Sequence, residues 1–403
     1  MKCLVIGGGV IGTSVAWHLA NRGTAQVVLL ERERLGSGST WHSAGNITWK
    51  PLPDHDAAVL YAYDTLAELQ RITGLATGWV RTGRMFMAQS RETRAAFESF
   101  DAVARERGIE ARWIGPEEAK RLNPLLEPSG IDGIWFQPLS GRANPADLTA
   151  AYASAARKAG AEIREGVRVE ALERRGDRTI GVRTSMGPIA ADEVVVAAGL
   201  WSRQLLASAD VELAQWPCRH FYLIVETPLR LARETPSFVA PDLLLYGREE
   251  VGGFLVGCFD ENAIPIEPSS LPEPFSFSLL PPDWDKIAPY FEKAERLFPS
   301  LATAPVRSFI NGPETFTPDG LPLIGRIGGC AGLSVATAMN STGVTWSAMA
   351  GAIIGDILAG MPPRFDHRRY DPDRFGARAG DPEFLRDAAS QIVSKGYRNA
   401  NQL

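Results

Sequence analysis

Three glycines near the amino terminus have the spacing of a phosphate-binding turn. Gly7, Gly9 and Gly12 form a G-x-G-x-x-G pattern between an apolar run of strand length, Lys2–Ile6, and a helical pattern that begins at Ile11. In such a turn the glycines let the backbone approach a pyrophosphate, and the helix amino terminus stabilises the phosphate charge. The pattern therefore predicts a dinucleotide-binding site.

An acidic residue at the end of the second predicted strand supports this site. Glu31 follows the apolar residues 27–30 and stands 24 residues after Gly7, a position from which a carboxylate can bind a ribose diol. A plain glycine turn in a βαβ unit is the alternative. The cofactor contacts predicted in this part of the chain are Gly7, Gly9, Val10, Ile11, Gly12, Glu31 and Arg32.

A loop of small residues, Gly-Ser-Thr-Trp-His-Ser-Ala-Gly at positions 38–45, follows the second strand. Nicotinamide-dependent enzymes usually continue with further βαβ units here, whereas this loop would pass along an extended ligand. With the first turn, the loop resembles the glycine oxidase/D-amino-acid oxidase superfamily of FAD enzymes, and more narrowly the flavin domain of the dimethylglycine and sarcosine dehydrogenases. The resemblance implies FAD as the cofactor and adds as contacts Ser39, Thr40, His42, Gly45, Asn46 and Ile47.

Three later segments extend the resemblance through most of the chain. Residues 194–202 (VVVAAGLWS) are similar to the second dinucleotide contact of the family, and residues 311–325 (NGPETFTPDGLPLIG) to its C-terminal signature. Residues 338–345 (AMNSTGVT) resemble the turn that sets a helix amino terminus against the flavin. The further cofactor contacts implied by this resemblance are Val169, Ala198, Gly199, Trp201, Gly312, Gly343, Val344 and Thr345.

The histidine of the small-residue loop has two alternative relations to the flavin. In the dehydrogenases that the chain resembles, the histidine of this motif is joined covalently to FAD, which implies a bond through His42. The alternative is a histidine beside the flavin that makes an ordinary hydrogen bond. The cysteine linkage of monomeric sarcosine oxidases is not expected, because Gly312 stands at the nearest matching position.

A histidine and a tyrosine are the candidate catalytic groups. His220, in the segment Arg-His-Phe-Tyr, and Tyr246, in Leu-Tyr-Gly-Arg, resemble substrate-facing residues of the dimethylglycine dehydrogenase group. An imidazole titrates near neutral pH, which suits acceptance of an amine proton, and a tyrosine can orient the substrate or relay that proton. The alternative is that both residues are satisfied members of the core.

Four cations are candidates to bind a substrate carboxylate. Sarcosine oxidases place a lysine after their C-terminal glycine, but Thr345 stands there in this chain, so other residues must serve. A guanidinium group can bind a carboxylate through two parallel hydrogen bonds, and an ammonium group binds it as a point charge. The candidates are Lys50, Arg219, Arg248 and Arg307.

The composition excludes several other classes of protein. The 403 residues include 42 lysines and arginines against 47 aspartates and glutamates, a net charge of −5, so no nucleic-acid partner is expected. The four cysteines lie far apart without a C-x-x-C pair, which argues against a metal site and favours buried thiols in a reducing, cytoplasmic compartment. Residues 327–355 are uncharged but rich in glycine, serine and threonine, so we expect a strand, a turn and a buried helix rather than a transmembrane segment.

The elements that must hold these residues follow an α/β pattern. We expect a discontinuous Rossmann-like FAD-binding domain with an inserted, sheet-rich α+β substrate domain, and a pocket between them. The FAD-binding domain would comprise residues 1–77, 143–214 and 315–370, and the substrate domain residues 78–142 and 215–314, the second part as an antiparallel sheet. Residues 371–403 are expected to form a short charged C-terminal tail.

These features predict an FAD-dependent oxidoreductase that oxidises the C–N bond of an N-substituted glycine or a related secondary or tertiary amino acid. The imine would hydrolyse to an amine and an aldehyde or glyoxylate, and the electrons would pass to oxygen or another redox acceptor, with an oxidase favoured. The alternatives are a D-amino-acid or glycine-type deaminating enzyme, a flavoprotein subunit of a larger complex and a nicotinamide-linked dehydrogenase.

A dicarboxylic substrate is expected from the end of the chain. The dimethylglycine dehydrogenases carry a C-terminal folate domain that captures the one-carbon unit, and no such domain is expected after Tyr370. Cleavage of a larger arm, as in iminodiacetate, is therefore favoured over release of formaldehyde from sarcosine or dimethylglycine. A dicarboxylate needs two cationic anchors, which the four candidate cations would supply.

Overall fold

Two large sheets organise the chain. The computed structural model describes residues 1–52 and 54–395. Its strands are β1 (Lys2–Ile6), β2 (Gln26–Leu30), β3 (Asn46–Ile47), β4 (Arg84–Ala88), β5 (Arg112–Ile114), β6 (Gly133–Gln137), β7 (Gly141–Arg142), β8 (Glu162–Arg164), β9 (Val169–Arg175), β10 (Arg178–Thr184), β11 (Gly187–Ala190), β12 (Glu193–Val196), β13 (Trp216–Glu226), β14 (Ser237–Ala240), β15 (Leu245–Glu250), β16 (Gly253–Cys258), β17 (Val306–Phe316), β18 (Leu323–Arg326) and β19 (Leu333–Thr337). Its helices are α1 (Val10–Asn21), α2 (His55–Thr73), α3 (Arg91–Glu106), α4 (Pro116–Leu122), α5 (Pro145–Lys158), α6 (Ser202–Ala207), α7 (Trp284–Leu297), α8 (Gly343–Leu358) and α9 (Pro382–Lys395).

The first sheet has six strands in the order β18-β19-β12-β1-β2-β8, parallel except for β18. Leu4 and Val5 of the central strand are both fully buried. Val5 packs with α1, α5 and α8, whereas Leu4 packs with α6 and the three-stranded sheet β9–β11. Burial on both faces explains why these strands have continuous apolar runs. The α/β fold predicted from the sequence is confirmed.

Helices α1 and α8 pack closely on one face of this sheet. Every residue of α8 from 344 to 356 is buried, and Gly351 allows the close approach, since a Cβ there would lie 2.5 Å from Ser14 Oγ. Asp356, a buried carboxylate in α8, is paired with Arg22 and Arg364. The strand, turn and buried helix predicted for residues 327–355 are confirmed. In the described ranges, no helix has the length and apolar character needed to cross a membrane.

The second sheet has eight strands in the order β17-β13-β16-β15-β14-β4-β6-β5. Side chains alternate between its two faces, as the period of a strand requires. On β13, Tyr222 and Ile224 join the core that contains α1 and α8, whereas Phe221 and Leu223 pack in a separate core with α7. His220 has the same parity as Tyr222 and therefore faces the first sheet and its helices.

Side-chain caps explain where two of the helices begin. The Ser90 hydroxyl accepts a hydrogen bond from the Thr93 N–H at 3.2 Å at the start of α3. At the start of α5, Asn144 Oδ1 accepts from two N–H groups, at 3.0 and 3.2 Å, and Pro145 occupies the first helical position. Both arrangements satisfy backbone donors that a helix leaves unpaired at its start.

The helices that were not expected from the sequence include α2 and α9. α2 follows the small-residue loop and buries one side against α5 and α8. α9 lies within the segment expected to be a charged tail, but its Leu385 and Ala389 pack against Trp216 of β13, so burial of an apolar stripe makes this part a folded element. Residues 396–403 of the expected tail lie outside the described residues. β17 also crosses the boundary expected at residue 314.

The four cysteines, at positions 3, 218, 258 and 330, are buried free thiols, as predicted. Burial raises the pKa of Cys3 and of Cys218 to about 12, so both thiols stay protonated and unreactive at neutral pH. Within residues 1–52 and 54–395, no cluster of histidine, cysteine, aspartate and glutamate side chains is arranged to bind a metal ion.

A buried ion pair between Arg142 of β7 and Glu249 of β15 gives a test of the packing. Because Glu249→Gln removes the ion-pair partner of the buried Arg142 guanidinium, we expect the free energy of unfolding to fall by about 3–5 kcal/mol, measured by urea denaturation. The control is Glu162→Gln, which breaks an exposed pair with Arg164 and should change it by less than about 0.5 kcal/mol. Equal losses in the two variants would contradict this view of the pair.

Candidate active site

A channel of about 560 Å³ crosses the carboxyl ends of the parallel strands. Residues at or just after the ends of β1, β2, β12 and β19 line it, namely Ile6, Leu30, Ala197 and Thr337. Ligands of open parallel sheets bind at this edge, where loops and helix starts present their backbone groups. The channel is therefore the candidate dinucleotide site.

The first glycine turn brings the backbone to the channel. Gly7 has a φ of 109°, which favours glycine, and a Cβ there would lie 2.8 Å from the carbonyl carbon of Ala197. Gly9 is the N-cap of α1 and provides no side-chain cap, so N–H groups at the helix start remain for a phosphate. Gly12 does not line the channel; it faces the Gly7 carbonyl and lets the helix pack on the turn.

The small-residue loop runs along the channel, which is lined by its members Gly38, Ser39, Thr40 and Ser43 and by the preceding Ser37. Thr40 Oγ1 accepts a hydrogen bond from the Val10 N–H at 3.1 Å, and the Ser39 hydroxyl donates to the Pro313 carbonyl at 2.9 Å. The loop thereby connects the start of α1 to β17 of the second sheet.

Glu31 and its neighbours form one end of the channel, called here the ribose end. The Glu31 carboxylate accepts hydrogen bonds from the N–H groups of Gly8 at 2.6 Å and Glu33 at 2.8 Å, while burial raises its pKa. Arg32 stacks over Trp201 at 3.8 Å from the ring centre. A fixed carboxylate at this position suits a ribose diol, as the sequence predicts.

The start of α8 forms the other end, called here the α8 end. Three residues of the preceding turn have left-handed conformations, Ala338 at a φ of 53°, Asn340 at 48° and Ser341 at 59°. Hydrogen bonds from Asn340 Nδ2 to the Ala338 carbonyl and from the Thr317 N–H to Asn340 Oδ1 hold this strained turn. Because α8 also lacks a side-chain cap, its first N–H groups are available to an electron-rich ligand.

The channel brings together many of the predicted cofactor residues. Those that line it are Gly7, Gly9, Val10, Ile11, Glu31, Arg32, Ser39, Thr40, Val169, Ala198, Gly199, Trp201, Gly343 and Val344. Those that do not are Gly12, His42, Gly45, Asn46, Ile47, Gly312 and Thr345. Further lining residues that sequence reasoning missed include Arg168, Phe275, Glu314, Thr315, Asn340 and Ser341. Glu314, Thr315, Asn340 and Ser341 lie within the motifs at residues 311–325 and 338–345, whereas Phe275 lies in a segment that carries no recognisable sequence signal.

Most of the predicted residues that do not line the channel lie next to residues that do. Thr345 donates to the Asn46 carbonyl at 3.2 Å, and β3 pairs with β7, so this segment supports the first turn of α8. Gly45, the last residue of the small-residue loop, has a φ of 69°. A dinucleotide fits the remaining arrangement, since a ribose acceptor, an uncapped helix start and a second uncapped helix start follow one another along the channel.

His42 is buried beside the α8 end. Its ring lies against Gly312, where a Cβ would come within 2.6 Å of Nε2 and 2.7 Å of Nδ1, and the Tyr222 hydroxyl donates to its carbonyl at 2.9 Å. Burial lowers the pKa of His42, so the imidazole is neutral at physiological pH. Its loop neighbours Thr40 and Ser43 line the channel.

His220 and Tyr246 meet on the face of the second sheet that points to the first. His220 Nε2 lies 2.9 Å from Tyr246 Oη, and the two rings stack with 9° between their planes. Their strands are separated by β16, and Gly257 makes the contact possible, because a Cβ there would overlap the Tyr246 ring. Phe259 contacts both rings. Sequence reasoning missed Gly257 and Phe259, whose roles depend on this register.

The candidate carboxylate-binding cations do not converge on this pair. Arg248 is buried, but its Nε donates to the Ala44 carbonyl at 2.7 Å and its guanidinium is paired with Glu250 at 2.6 Å. Arg219 pairs with Asp283 at 3.4 Å.

The other two cations lie elsewhere. Arg307 donates to the Val251 carbonyl at the exposed turn between β15 and β16, five residues before Gly312 on β17, so the structure places it away from the site. Lys50 follows the small-residue loop, and its backbone N–H donates to His55 Nδ1 at 2.9 Å. Sequence reasoning missed Arg84, a fully buried cation that donates to Thr48 Oγ1 at 2.6 Å.

The position of the channel, between the edge of the first sheet and the face of the second sheet that carries His220 and Tyr246, indicates the class of protein. A dinucleotide held at the edge of a parallel sheet, beside a second sheet that carries proton-handling groups, is the arrangement of a redox enzyme. Residues 2–357 match the family described as DAO, FAD-dependent oxidoreductase, and the chain belongs to this family. Its cofactor is FAD.

Relatives of known activity narrow the comparison. The chain is 31% identical over 398 residues to 4-methylaminobutanoate oxidase (formaldehyde-forming) of Paenarthrobacter nicotinovorans, covering 98% of this chain and 48% of that protein. It is 31% identical over 403 residues to mitochondrial sarcosine dehydrogenase of Homo sapiens, covering 98% and 44%. The chain thus spans about half the length of these curated relatives.

A solved structure agrees with the fold. The crystal structure of glycine oxidase from Geobacillus kaustophilus superposes with a TM-score of 0.80 at 25% identity, covering 93% of this chain and 98% of that chain. The resemblance to the glycine oxidase superfamily and to the sarcosine dehydrogenase group, expected from the motifs, is confirmed.

Removal of the ribose-end carboxylate tests how the channel holds FAD. Because Glu31→Ala removes a fixed, charged acceptor, we expect FAD to bind flavin-free protein at least about tenfold more weakly, which is about 1.4 kcal/mol. The measurement is a titration followed by quenching of flavin fluorescence. Glu165→Ala is the control, since its carboxylate accepts from the Leu35 N–H nearby but does not line the channel. Equal affinity for FAD in the Glu31→Ala variant and the wild type would contradict this role.

Proposed function

We propose that this chain catalyses FAD-dependent oxidation of the C–N bond of an N-substituted amino acid. The observation that carries the proposal is the contact between His220 Nε2 and Tyr246 Oη, on a sheet face turned towards the FAD-binding elements. His220 is paired in register with Gly312, and the ring of His42 lies against that glycine at the α8 end of the channel. His220 therefore lies on the strand next to β17, whose Gly312 contacts the His42 ring beside the channel.

The pair prepares the amine for oxidation. Bound FAD supplies the acceptor for the hydride that leaves the substrate carbon. An ammonium group has no free electron pair to assist this step, so its proton must first be removed. Tyr246 Oη accepts that proton and passes its own to His220 Nε2, 2.9 Å away. Phe259 and the buried position of both rings exclude water from the relay.

The substrate is proposed to carry a single carboxylate and an N-methyl group. The expected preference for a dicarboxylate required two cations that converge on the substrate. In the structure Arg248 already forms an ion pair with Glu250, and Arg307 lies at an exposed turn. The names of both curated relatives, 4-methylaminobutanoate oxidase and sarcosine dehydrogenase, describe N-methylated amino acids. Hydrolysis of the imine would then release formaldehyde and the demethylated amino acid.

His42 is proposed to bind FAD covalently. A ring nitrogen would replace one hydrogen on a carbon of the isoalloxazine, the two electrons released would reduce the flavin itself, and the redox acceptor of the enzyme would reoxidise it. Its imidazole is neutral, because burial lowers its pKa, and a neutral ring nitrogen has the electron pair that such a bond needs. Gly312 leaves space for the ring beside the α8 end, whereas a side chain at that position would displace it.

Loss of either proton-handling residue should slow reduction of the flavin. His220→Phe and Tyr246→Phe each remove one member of the relay, so we expect anaerobic reduction by substrate to slow by about 10²-fold or more while FAD remains bound. Stopped-flow absorbance measures the rate. Tyr290→Phe is the control, because it removes a buried hydroxyl bonded to Asp260 in the other core of the second sheet. Wild-type rates in both relay variants would show that the pair is structural.

A substrate comparison tests the carboxylate assignment. We expect kcat/KM for sarcosine or 4-methylaminobutanoate to exceed that for iminodiacetate by at least about tenfold, because a second carboxylate would be desolvated without a cation. Amine-dependent flavin bleaching and formaldehyde release provide the measurement. A higher kcat/KM for iminodiacetate would restore the dicarboxylate assignment, and a lack of turnover in FAD-loaded protein would favour a subunit of a larger complex.

Acid precipitation tests the covalent bond. The pellet of FAD-loaded protein should remain yellow, and that of His42→Ala should be colourless, because only a covalently held flavin survives unfolding. A colourless pellet from the fully loaded wild-type protein would contradict the bond.

A further inference from the structure

The two ends of the channel differ in how their charges are balanced. At the ribose end, lining carboxylates are matched by lining arginines, Glu273 with Arg168 at 3.0 Å and Glu170 with Arg183 at 3.4 Å. At the α8 end the lining carboxylate is that of Glu314. Among the described residues that line the channel, the arginines all belong to the ribose end.

Glu314 is held close to the start of α8. It lies two residues after Gly312 on β17, with the same parity, and its carboxylate accepts a hydrogen bond from the Ser341 hydroxyl. Ser341 belongs to the left-handed turn that precedes α8. Because a hydroxyl is a neutral partner, this bond fixes the position of the carboxylate and leaves its charge in place. The charge also acts on the nearby His42 imidazole.

The charge of Glu314 opposes the effect of the helix. Glu31 assigns the adenosine half of FAD to the ribose end, so the isoalloxazine half extends to the α8 end. The reduced isoalloxazine gains negative charge, which the positive end of the α8 dipole stabilises and a fixed carboxylate destabilises. We propose that Glu314 is an electrostatic control residue, which lowers the reduction potential of the bound flavin below the value that the α8 amino terminus alone would set.

This assignment is tested on the FAD-loaded protein without any amine substrate. Glu314→Gln removes the charge and keeps an oxygen that can accept from Ser341. We expect the equilibrium with a reference dye of known potential to shift about tenfold towards reduced flavin, which is about 30 mV for a two-electron couple. The proposal rests on the FAD site of the proposed function but not on its substrate, so failure of the substrate assignment would leave this measurement unaffected.

Three matched variants separate charge from geometry. Ser341→Ala breaks the hydrogen bond but keeps the charge, Glu314→Asp keeps the charge, and Glu170→Gln removes a carboxylate at the ribose end. Each should change the dye equilibrium by less than about threefold. The first two variants keep the negative charge at the α8 end, and the effect of the charge lost in Glu170→Gln falls with distance and is screened by solvent. A wild-type equilibrium in loaded Glu314→Gln, or an equal shift in Ser341→Ala, would overturn the proposal.

A variant whose expected effect on the dye equilibrium is opposite to that of Glu314→Gln covers the case in which Glu314→Gln does not retain FAD. Ser341→Asp places a second negative charge beside the first at the start of α8. We expect the dye equilibrium to shift towards oxidised flavin, with normal FAD loading judged from the absorbance spectrum. An unchanged equilibrium in this variant would equally overturn the electrostatic role.

Discussion

Two helices, α1 and α8, begin in the same channel without side-chain caps. At the start of α1 the Val10 N–H donates to Thr40 Oγ1 of the small-residue loop. The other N–H groups at the two starts have no partner within the helix, so a ligand or water must satisfy them. Their relative position is fixed by the first sheet, which orients α1 through β1 and β2, and by the close approach of α8 to α1 at Gly351. The distance between the phosphate site and the flavin site is therefore a property of the packed core rather than of the loops.

The second sheet contributes to the site as much by missing side chains as by those present. Gly257 leaves room for the Tyr246 ring to cross β16, and Gly312 leaves room for the His42 ring. Both glycines are buried positions inside strands, where glycine is otherwise unfavourable, so each marks a close approach of another group. The contact between His220 and Tyr246 exists because the strand between them has no side chain at that point.

Local patterns were sufficient to predict the first two strands and the first turn, but not the contacts between distant strands. The G-x-G-x-x-G turn and Glu31 are neighbours in the chain or one βαβ unit apart, so their relation is visible in the sequence. The pairing of β13 with β16 and of β16 with β15 sets the His220–Tyr246 distance, and no local signal specifies that register. The partner of Arg248 is a different case, because Glu250 stands two residues later on the same strand face and was available as a signal.

The α8 end is built from segments that are far apart in the sequence. His42 comes from the small-residue loop, Gly312 and Glu314 from β17, and Ser341 from the turn before α8. They meet only when both sheets and α8 are in place, so an unfolded chain has no equivalent site. A ligand held there binds the native state alone and stabilises it by mass action. The strained turn at residues 338–341 and the buried imidazole of His42 both disfavour the native protein, and the bound cofactor offsets this cost.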